Sequence, residues 1–477
     1  MIDFTNLWTG LDWFILAVYF VAVLGVGVLM HKRANKSFKS FFVASRRLTI
    51  PVLVGVAAAG WYDSWTIVGL AECGWTMGIS VLFIYVFPAS FLRLPLAVII
   101  GPLVRDKMPD YVVTLPDMIC YFYDKRTKFI SAVTIAVGIL YDAALLFAIG
   151  QVMHLVAGVP IYVAMVIAGG IILAYTSLAG LWGLAVTDMI QFAVMTVSAG
   201  VLAWGILSQP GGLPGIFEQI KAVDPLLLTP LGHNSSLDVL AWVIAAASLY
   251  VNAQSYQRFG AAKSGSDIKV AYSLMMIIGM SFSAVMVMAG MAASVLFPAA
   301  ASPAEGFWAA VFTVLPAGLR GLFVAALCAA VMSTVSADWL VSSTALVNDL
   351  YRGFINPRMT DASVLRSTKV VLIFISIFCV AGTYFWQAGI GKAWYYLGGF
   401  QTAVFFIPIL AGLFYKKKTA TGGFIAVLAG VLIYITWEFI LKAPFGVPSN
   451  VATWVSSLVI YFIACTATYK GTEVKSQ

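Results

Sequence analysis

The sequence predicts an all-α polytopic membrane protein of about thirteen transmembrane helices, built around an inverted five-plus-five helix repeat. Three observations carry that expectation. Of 477 residues, 61% are hydrophobic and 10% charged, and mean hydropathy is +0.96, a balance that excludes an ordinary soluble domain. Apolar runs close to the ~20 residues needed to cross a bilayer recur along the whole chain. Two of these runs, five spans apart, are interrupted in the middle by polar residues, and interruptions at corresponding positions mark two repeats facing one midplane site.

Taken in order, the spans are predicted at 12–30, 48–77, 79–104, 128–157, 160–180, 183–208, 237–257, 270–297, 319–350, 367–387, 394–415, 422–441 and 451–469. Residues 1–477 read as one membrane domain: a peripheral first helix at 12–30, a first repeat at 48–208, a second at 237–415, and two peripheral C-terminal helices at 422–469. The repeat is inferred from spacing alone, since the halves show no clear identity. The long loops at 209–236 and 298–318 carry Gly and Pro and read as lids or linkers.

The net charge of +8 is a topology signal rather than a nucleic-acid signal, because the charges sit in short loops. One set of loops and the tail hold 23 of the 28 Lys and Arg, among them Lys32, Arg33, Arg105, Lys125, Arg352 and Lys416. Arg93, Lys221, Arg320, Lys392 and Lys442 lie within spans or on the other side. The asymmetry places the N-terminus outside and the C-terminus in the cytoplasm, in a plasma (inner) membrane. The first apolar run is too long for a cleavable signal, and no small-residue cleavage site follows it. The five cysteines fall in or beside apolar segments without CxxC or metal spacing, so free thiols are expected.

Span 2 holds the first interruption. Val54 to Leu70 reads VGVAAAGWYDSWTIVGL, with Gly60, Asp63 and Ser64 in mid-run beside Trp61, Tyr62 and Trp65. A carboxylate there costs about 2.5–3.5 kcal/mol on insertion scales, and irregular backbone at that depth is tolerated only when buried in protein or lining a water-filled cavity. The alternatives are a kinked helix whose Asp63 pairs with a neighbour, and a binding site. Asp63 itself has three competing roles: helix cap, cation ligand, or counter-ion to a substrate amine. Span 6 contributes Thr187, Asp188 and Gln191, with Asp188 either an interfacial acid pairing with a loop Lys or part of a site. Span 7 carries the second interruption, LYVNAQSYQR from Leu249 to Arg258. Its Asn252, Gln254 and Gln257 read as interhelical hydrogen-bond glue or as a site. In span 9, Ser333, Thr334 and Ala337 share a face, with Ala330 one turn before. Hydroxyls beside a backbone carbonyl suit a desolvated Na⁺; the competing reading is close packing by small residues. Asp142, His154 and Glu438 are further ionisable groups, Glu438 read as structural or interfacial and His154 as a satisfied residue near the outer interface.

At these residues the chain resembles the sodium/solute symporter family, in particular its proline and pantothenate branches. The resemblance rests on AAVMSTVS and SSTALVNDLY (Ala329–Ser336, Ser342–Tyr351), Thr114-Leu115-Pro116-Asp117, and AYTSLAGLWGLAVTDMIQ (Ala174–Gln191) with Ala179 where Gly is usual. It rests also on Gln257-Arg258 with Ala261-Ala262, and on Gly412-Leu413, Lys417 and Gly422 with Gly423 in place of Ala. Each motif is weak alone; five in order over nearly the whole chain are specific. The resemblance implies a leucine-transporter-like fold with Na⁺ as coupling ion, held by the carbonyls of Ala59, Tyr62 and Ala330 and the hydroxyls of Ser333 and Thr334. It implies a substrate near Trp61, Trp65, Thr66, Asn252 and Gln401, with Asp63 and Gln254 added from the two interruptions. A second cation at Asp188 and Ser336 is expected to be incomplete, because Ala337 removes a hydroxyl. Asp63 stands where relatives usually carry a small or neutral residue.

The expectation is therefore a Na⁺-coupled symporter importing a small polar organic solute, whether amino acid, carboxylate, vitamin or sugar. A proton-coupled transporter and a non-transporting sensor are the alternatives. A sensor predicts an appended signalling domain, and the short tail after Thr468 leaves no room for one. A polytopic enzyme needs a catalytic cluster, and His31, His154 and His233 are the only histidines; no phosphate loop is present. A channel needs a repeated filter segment. The expected partners are the solute, Na⁺ and the bilayer, with no nucleic acid and no obligate protein partner.

Overall fold

The computed structural model describes residues 4–382 and 390–470. Among them every extended element is helical, and an isolated parallel bridge joins Leu48 to Ala262. Among the described residues ten helices are long and apolar enough to cross a membrane. The chain runs through α1 (Gly10–Ala34), α2 (Ile50–Ala59), α3 (Leu70–Met77), α4 (Leu82–Lys107) and α5 (Lys125–Ala157). It continues through α6 (Ile161–Leu207), α7 (Ser236–Ala246), α8 (Ala253–Ala261), α9 (Gly265–Leu296) and α10 (Pro303–Val314). The last elements are α11 (Leu319–Ile355), α12 (Asp361–Gly382), α13 (Ile390–Phe414), α14 (Ala420–Ile440) and α15 (Ser449–Thr468). The end of the run predicted at 367–387 lies outside the described residues.

α6 is 47 residues long, which as one straight rod would measure about 70 Å at 1.5 Å per residue, over twice a bilayer core. It does not run straight. Gly180 adopts φ 47°, ψ −148°, a conformation open to glycine and strained for L-residues, and there two helical limbs meet at a kink. A Cβ at Gly180 would stand 2.5 Å from the Phe41 carbonyl oxygen. Gly180→Ala is expected to destabilise by roughly 1–3 kcal/mol, read as a lower unfolding temperature of the purified protein; an unchanged value would mean that the turn tolerates a side chain.

α11 is the most buried of the long apolar helices described, 83% of its apolar stretch lying inside the protein. Its polar residues between Ser333 and Thr344 are therefore interior groups, not lipid-facing ones. α6 packs along both α1 and α11, and α9 along α2 and α3. Gly74 and Gly290 leave no room for a Cβ between α3 and α9, which brings the two backbones into contact, as small residues do in membrane bundles.

Several ends are set by local chemistry. Thr114-Leu115-Pro116-Asp117 is a capping box: Thr114 Oγ1 accepts the Asp117 N–H at 3.0 Å and Asp117 Oδ2 accepts the Thr114 N–H at 3.2 Å, with Pro in the first turn where it loses no hydrogen bond. The segment at 298–318 is not a loose lid. It folds as α10, capped by Ser302 on the Glu305 N–H at 3.2 Å, and Phe307, Trp308 and Phe312 are buried. Loop-like composition at its edges concealed an apolar helix. The 209–236 segment likewise contains a helix, Gly212–Val223.

Candidate functional site

α2 stops at Ala59 and helical structure resumes with a π turn, Trp65–Gly69, leading into α3. Asp63 restarts it. Its Oδ1 accepts the Thr66 N–H at 2.9 Å, the bond of an N-cap carboxylate at the positive end of a helix. Thr66 Oγ1 donates to the Trp61 carbonyl at 2.7 Å, and Tyr141 Oη from α5 donates to Asp63 Oδ2 at 2.8 Å. Asp63 thus makes the cap that the sequence offered as one of its roles. Asp63→Ala is expected to cost about 0.5–2 kcal/mol and Asp63→Asn much less, since Asn caps as well; thermal unfolding of both variants checks the order. Gly60 lies in the break with the Arg258 guanidinium packed where its Cβ would be.

The second break is built the same way. α7 tightens into a 3₁₀ turn at Ala247–Tyr250, and Asn252 restarts the chain by accepting the Ser255 N–H at 2.9 Å. Gln254 Nε2 donates to Asp338 Oδ1 on α11 at 2.6 Å. Gln257 Nε2 donates to the Phe42 carbonyl at 2.8 Å, so Gln257 is the interhelical tie.

These elements enclose a cavity of ≈150 Å³. The first break lines it with Trp61, Asp63, Trp65 and Thr66, the second with Asn252 and Gln254, and α13 with Gln401. α11 adds Thr334, Asp338 and Ser342. Trp65 stacks on Trp242 at 5.9 Å between ring centroids, which gives one wall an aromatic face. Tyr62 does not line the cavity; its ring packs on Phe282 at 4.0 Å.

The cation-ligand candidates divide between the two breaks' neighbours. On α11, Ser333 Oγ and Thr334 Oγ1 donate to the Ala330 carbonyl at 3.0 and 3.2 Å, so three oxygens cluster on one buried face. On the other side, the Tyr62 carbonyl accepts no backbone hydrogen bond among the described residues, because the Thr66 N–H that would reach it goes to Asp63. Neutral oxygens at high density, with the Tyr62 carbonyl free of a backbone partner, fit a hard monovalent cation. Ala59 is the last residue of α2, one turn before that carbonyl. Asp188 and Ser336 lie away from the cavity. Ser336 Oγ donates to the Ser333 carbonyl at 3.1 Å, and Asp188 is 1% exposed with Oδ1 unpartnered. The reading of Asp188 as an interfacial acid paired with a loop Lys is thereby corrected: the side chain is buried, and the cation it faces is Arg258.

Among the cavity residues that sequence reasoning missed are Tyr85, Arg93, Tyr141 and Asp338. Asp338 ended the span 9 motif without a role, and Asp142, noted only as ionisable, is fully buried with neither carboxylate oxygen hydrogen-bonded among the described residues. Arg93 was visible as a charge inside an apolar run, and that was the available signal. Glu438 accepts a hydrogen bond from Ser449 Oγ on α15, a structural tie, and His154 Nδ1 lies 3.2 Å from the Val159 carbonyl oxygen.

Comparison with known proteins places this geometry. The chain is 26% identical over 441 residues to the sodium/pantothenate symporter of Escherichia coli (strain K12), covering 88% of this chain and 89% of that one. It is 24% identical over 440 residues to the osmoregulated proline transporter OpuE of Bacillus subtilis (strain 168), covering 88% and 87%. It is also 24% identical over 479 residues to a sodium/glucose cotransporter of Vibrio parahaemolyticus, covering 91% and 86%. A Na⁺-coupled sialic acid symporter, solved substrate-bound and outward-open, superposes with a TM-score of 0.85 at 18% identity over 98% of this chain and 100% of that one. The structural neighbours are transporters of the leucine-transporter fold, and the curated relatives are transporters rather than enzymes. The sodium:solute symporter family model matches residues 41–430, most of the chain, and the protein belongs to that family.

Proposed function

We propose that the protein is a Na⁺-coupled symporter that imports one small polar organic solute per cycle by alternating access at the cavity between the two helix breaks. The observation that carries this reading is the Tyr62 carbonyl, left without a backbone partner by the Asp63 cap in a break that shares its cavity with Thr334. Na⁺ is held by the carbonyls of Ala59, Tyr62 and Ala330 and the hydroxyls of Ser333 and Thr334. The solute is held by Trp61, Asp63, Trp65, Thr66, Asn252, Gln254 and Gln401. Asp188 and Ser336 form at most an incomplete second cation site, since Ala337 supplies no oxygen.

The family and the named sodium-coupled relatives support the coupling ion. The helix count supports the architecture: the ten long helices, the second limb of α6, the α2–α3 pair and α13 make thirteen crossings. In that reading 48–208 and 237–415 are the inverted repeats, with 12–30 and 422–469 peripheral. The Lys and Arg distribution supports an N-terminus outside and a C-terminus in the cytoplasm.

The test is uptake into proteoliposomes under an inward Na⁺ gradient, with the solute identified first by a thermal-shift screen in Na⁺, since a ligand of the native state raises its apparent stability. Uptake is expected to collapse when Na⁺ is replaced by choline at fixed pH. Uptake unchanged by that replacement would overturn the reading.

A further inference from the structure

The cavity contains a buried cation that forms no ion pair among the described residues. Arg93 stands near the middle of the 26-residue α4, lines the cavity and is 8% exposed. It forms none of the ion pairs found among the described residues, and its Nε has no hydrogen-bond partner. The stretch 383–397 contains no Asp or Glu, so no acid is hidden there. Its guanidinium lies against the Trp61 ring. A ring face attracts the cation but leaves the in-plane N–H donors, which are aimed outward from the guanidinium edge, without acceptors.

The carboxylate nearest in role, Asp63, lines the same cavity but is engaged elsewhere. Its Oδ1 serves the Thr66 cap and its Oδ2 accepts Tyr141. Asp338 is held by Gln254. The other groups facing Arg93 are the phenols of Tyr62, Tyr85 and Tyr272, and those of Tyr62 and Tyr272 also lack partners. Arginines inside a membrane protein face the bundle interior and pair with an acid or backbone carbonyls, and a guanidinium edge matches a carboxylate bidentately. Among the described residues no acid is paired with this guanidinium.

We propose that Arg93 receives the carboxylate of the transported solute, and that the solute is a small organic carboxylate. This deepens the symport reading and rests on it. Size follows from the cavity: at ≈150 Å³ it matches a space that admits a molecule of about benzene's size. That accommodates proline, lactate, pyruvate or propionate rather than an extended acid. The acid end lies at Arg93, and the rest of the molecule lies toward Trp65, Thr66 and Gln401, which leaves the α11 oxygens to the coupling ion.

The test uses the full chain in Na⁺, reading the rise in unfolding temperature against concentration for L-proline, L-lactate, pyruvate and propionate. Prolinamide, lactamide, propionamide and glucose serve as uncharged counterparts. At least one acid is expected to bind, its amide to bind at least tenfold more weakly, Arg93→Gln to lose acid binding by tenfold or more, and Arg93→Lys to recover part of it. Without ligand, Arg93→Gln is expected to unfold no earlier than the wild type, because the substitution removes an unpaired buried charge. The proposal is overturned if no acid binds, if amides or glucose bind as tightly as acids, or if Arg93→Gln binds the acid with an unchanged midpoint. Should Arg93→Gln fail to fold, the acid-against-amide comparison on the wild type still decides. Acid binding that needs Arg93 yet ignores Na⁺ counts against symport alone; Na⁺-dependent binding of glucose, unaffected in Arg93→Gln, counts against this proposal alone.

Discussion

Thr334→Ala is expected to raise the Na⁺ concentration for half-maximal uptake by about ten- to a hundredfold. A hydroxyl serving a cation is comparable to a hydrogen bond to a charged group, roughly 1.5–3 kcal/mol, and about 1.4 kcal/mol is a factor of ten in affinity. Thr334 is the cavity-lining member of the α11 oxygen cluster, and Ser333 stands behind it on the Ala330 carbonyl. Ser333→Ala should therefore act in the same direction, while solute affinity at saturating Na⁺ changes less in both. Thr334→Ser keeps the oxygen and should stay near wild type; Thr334→Val keeps the shape and should behave like Ala. Asp188→Asn should have a smaller effect, because Asp188 lies away from the cavity. The assignment fails if Asp188→Asn removes Na⁺ dependence while Thr334→Ala is silent.

Lys128→Met is expected to destabilise the protein by about 3–5 kcal/mol, the usual consequence of removing one partner from a buried pair. Lys128 Nζ sits 2.6 Å from Asp117 Oδ1 and 3.2 Å from Asp349 Oδ1. Asp349 is fully buried, with Thr114 Oγ1 at 3.1 Å and Asn348 Nδ2 at 3.0 Å as its other donors. Without the ammonium, two carboxylates face each other with one of them cut off from water. The double variant Lys128→Met/Asp349→Asn should recover much of the loss, since Asn leaves no charge uncompensated. Thermal unfolding of both singles and the double measures the coupling. A double variant as unstable as the sum of the singles would show that Lys128 acts through packing alone.

The membrane class, the approximate spans and the position of both helix breaks were legible in the sequence because each rests on one-dimensional information. A run of ~20 apolar residues has few alternatives to crossing a bilayer, and Gly60 with Asp63, or Asn252 with Gln254, is too polar to continue such a run in lipid. Capping chemistry is equally local. Thr114 and Asp117 are three residues apart, as are Asp63 and Thr66, so those bonds are set as soon as the helix starts. Gly180 shows the same economy: an apolar stretch too long for one crossing needs a residue free to adopt positive φ.

What the sequence could not supply is which side chains meet across helices. Tyr141 reaches Asp63 over 78 residues, Gln254 reaches Asp338 over 84, and Asp12 accepts the N–H groups of Gly318 and Gly321 more than 300 residues away. Those partnerships depend on the rotation and depth of one helix against another, to which hydropathy and periodicity are blind, because a turn of 100° exchanges lipid for cavity without changing a residue. Arg93 is the clearest case. In the sequence it was one charge within an apolar run; only packing turned it toward Trp61 and into a cavity whose acids, Asp63 and Asp338, are held by other donors. The chain alone determined that the protein crosses the membrane, where its helices break and which motifs mark it as a symporter. The tertiary structure decided which buried charges meet a partner, as Lys128 does, and which do not, as Arg93, because pairing in a low-dielectric interior is a property of distance between helices and not of order along them.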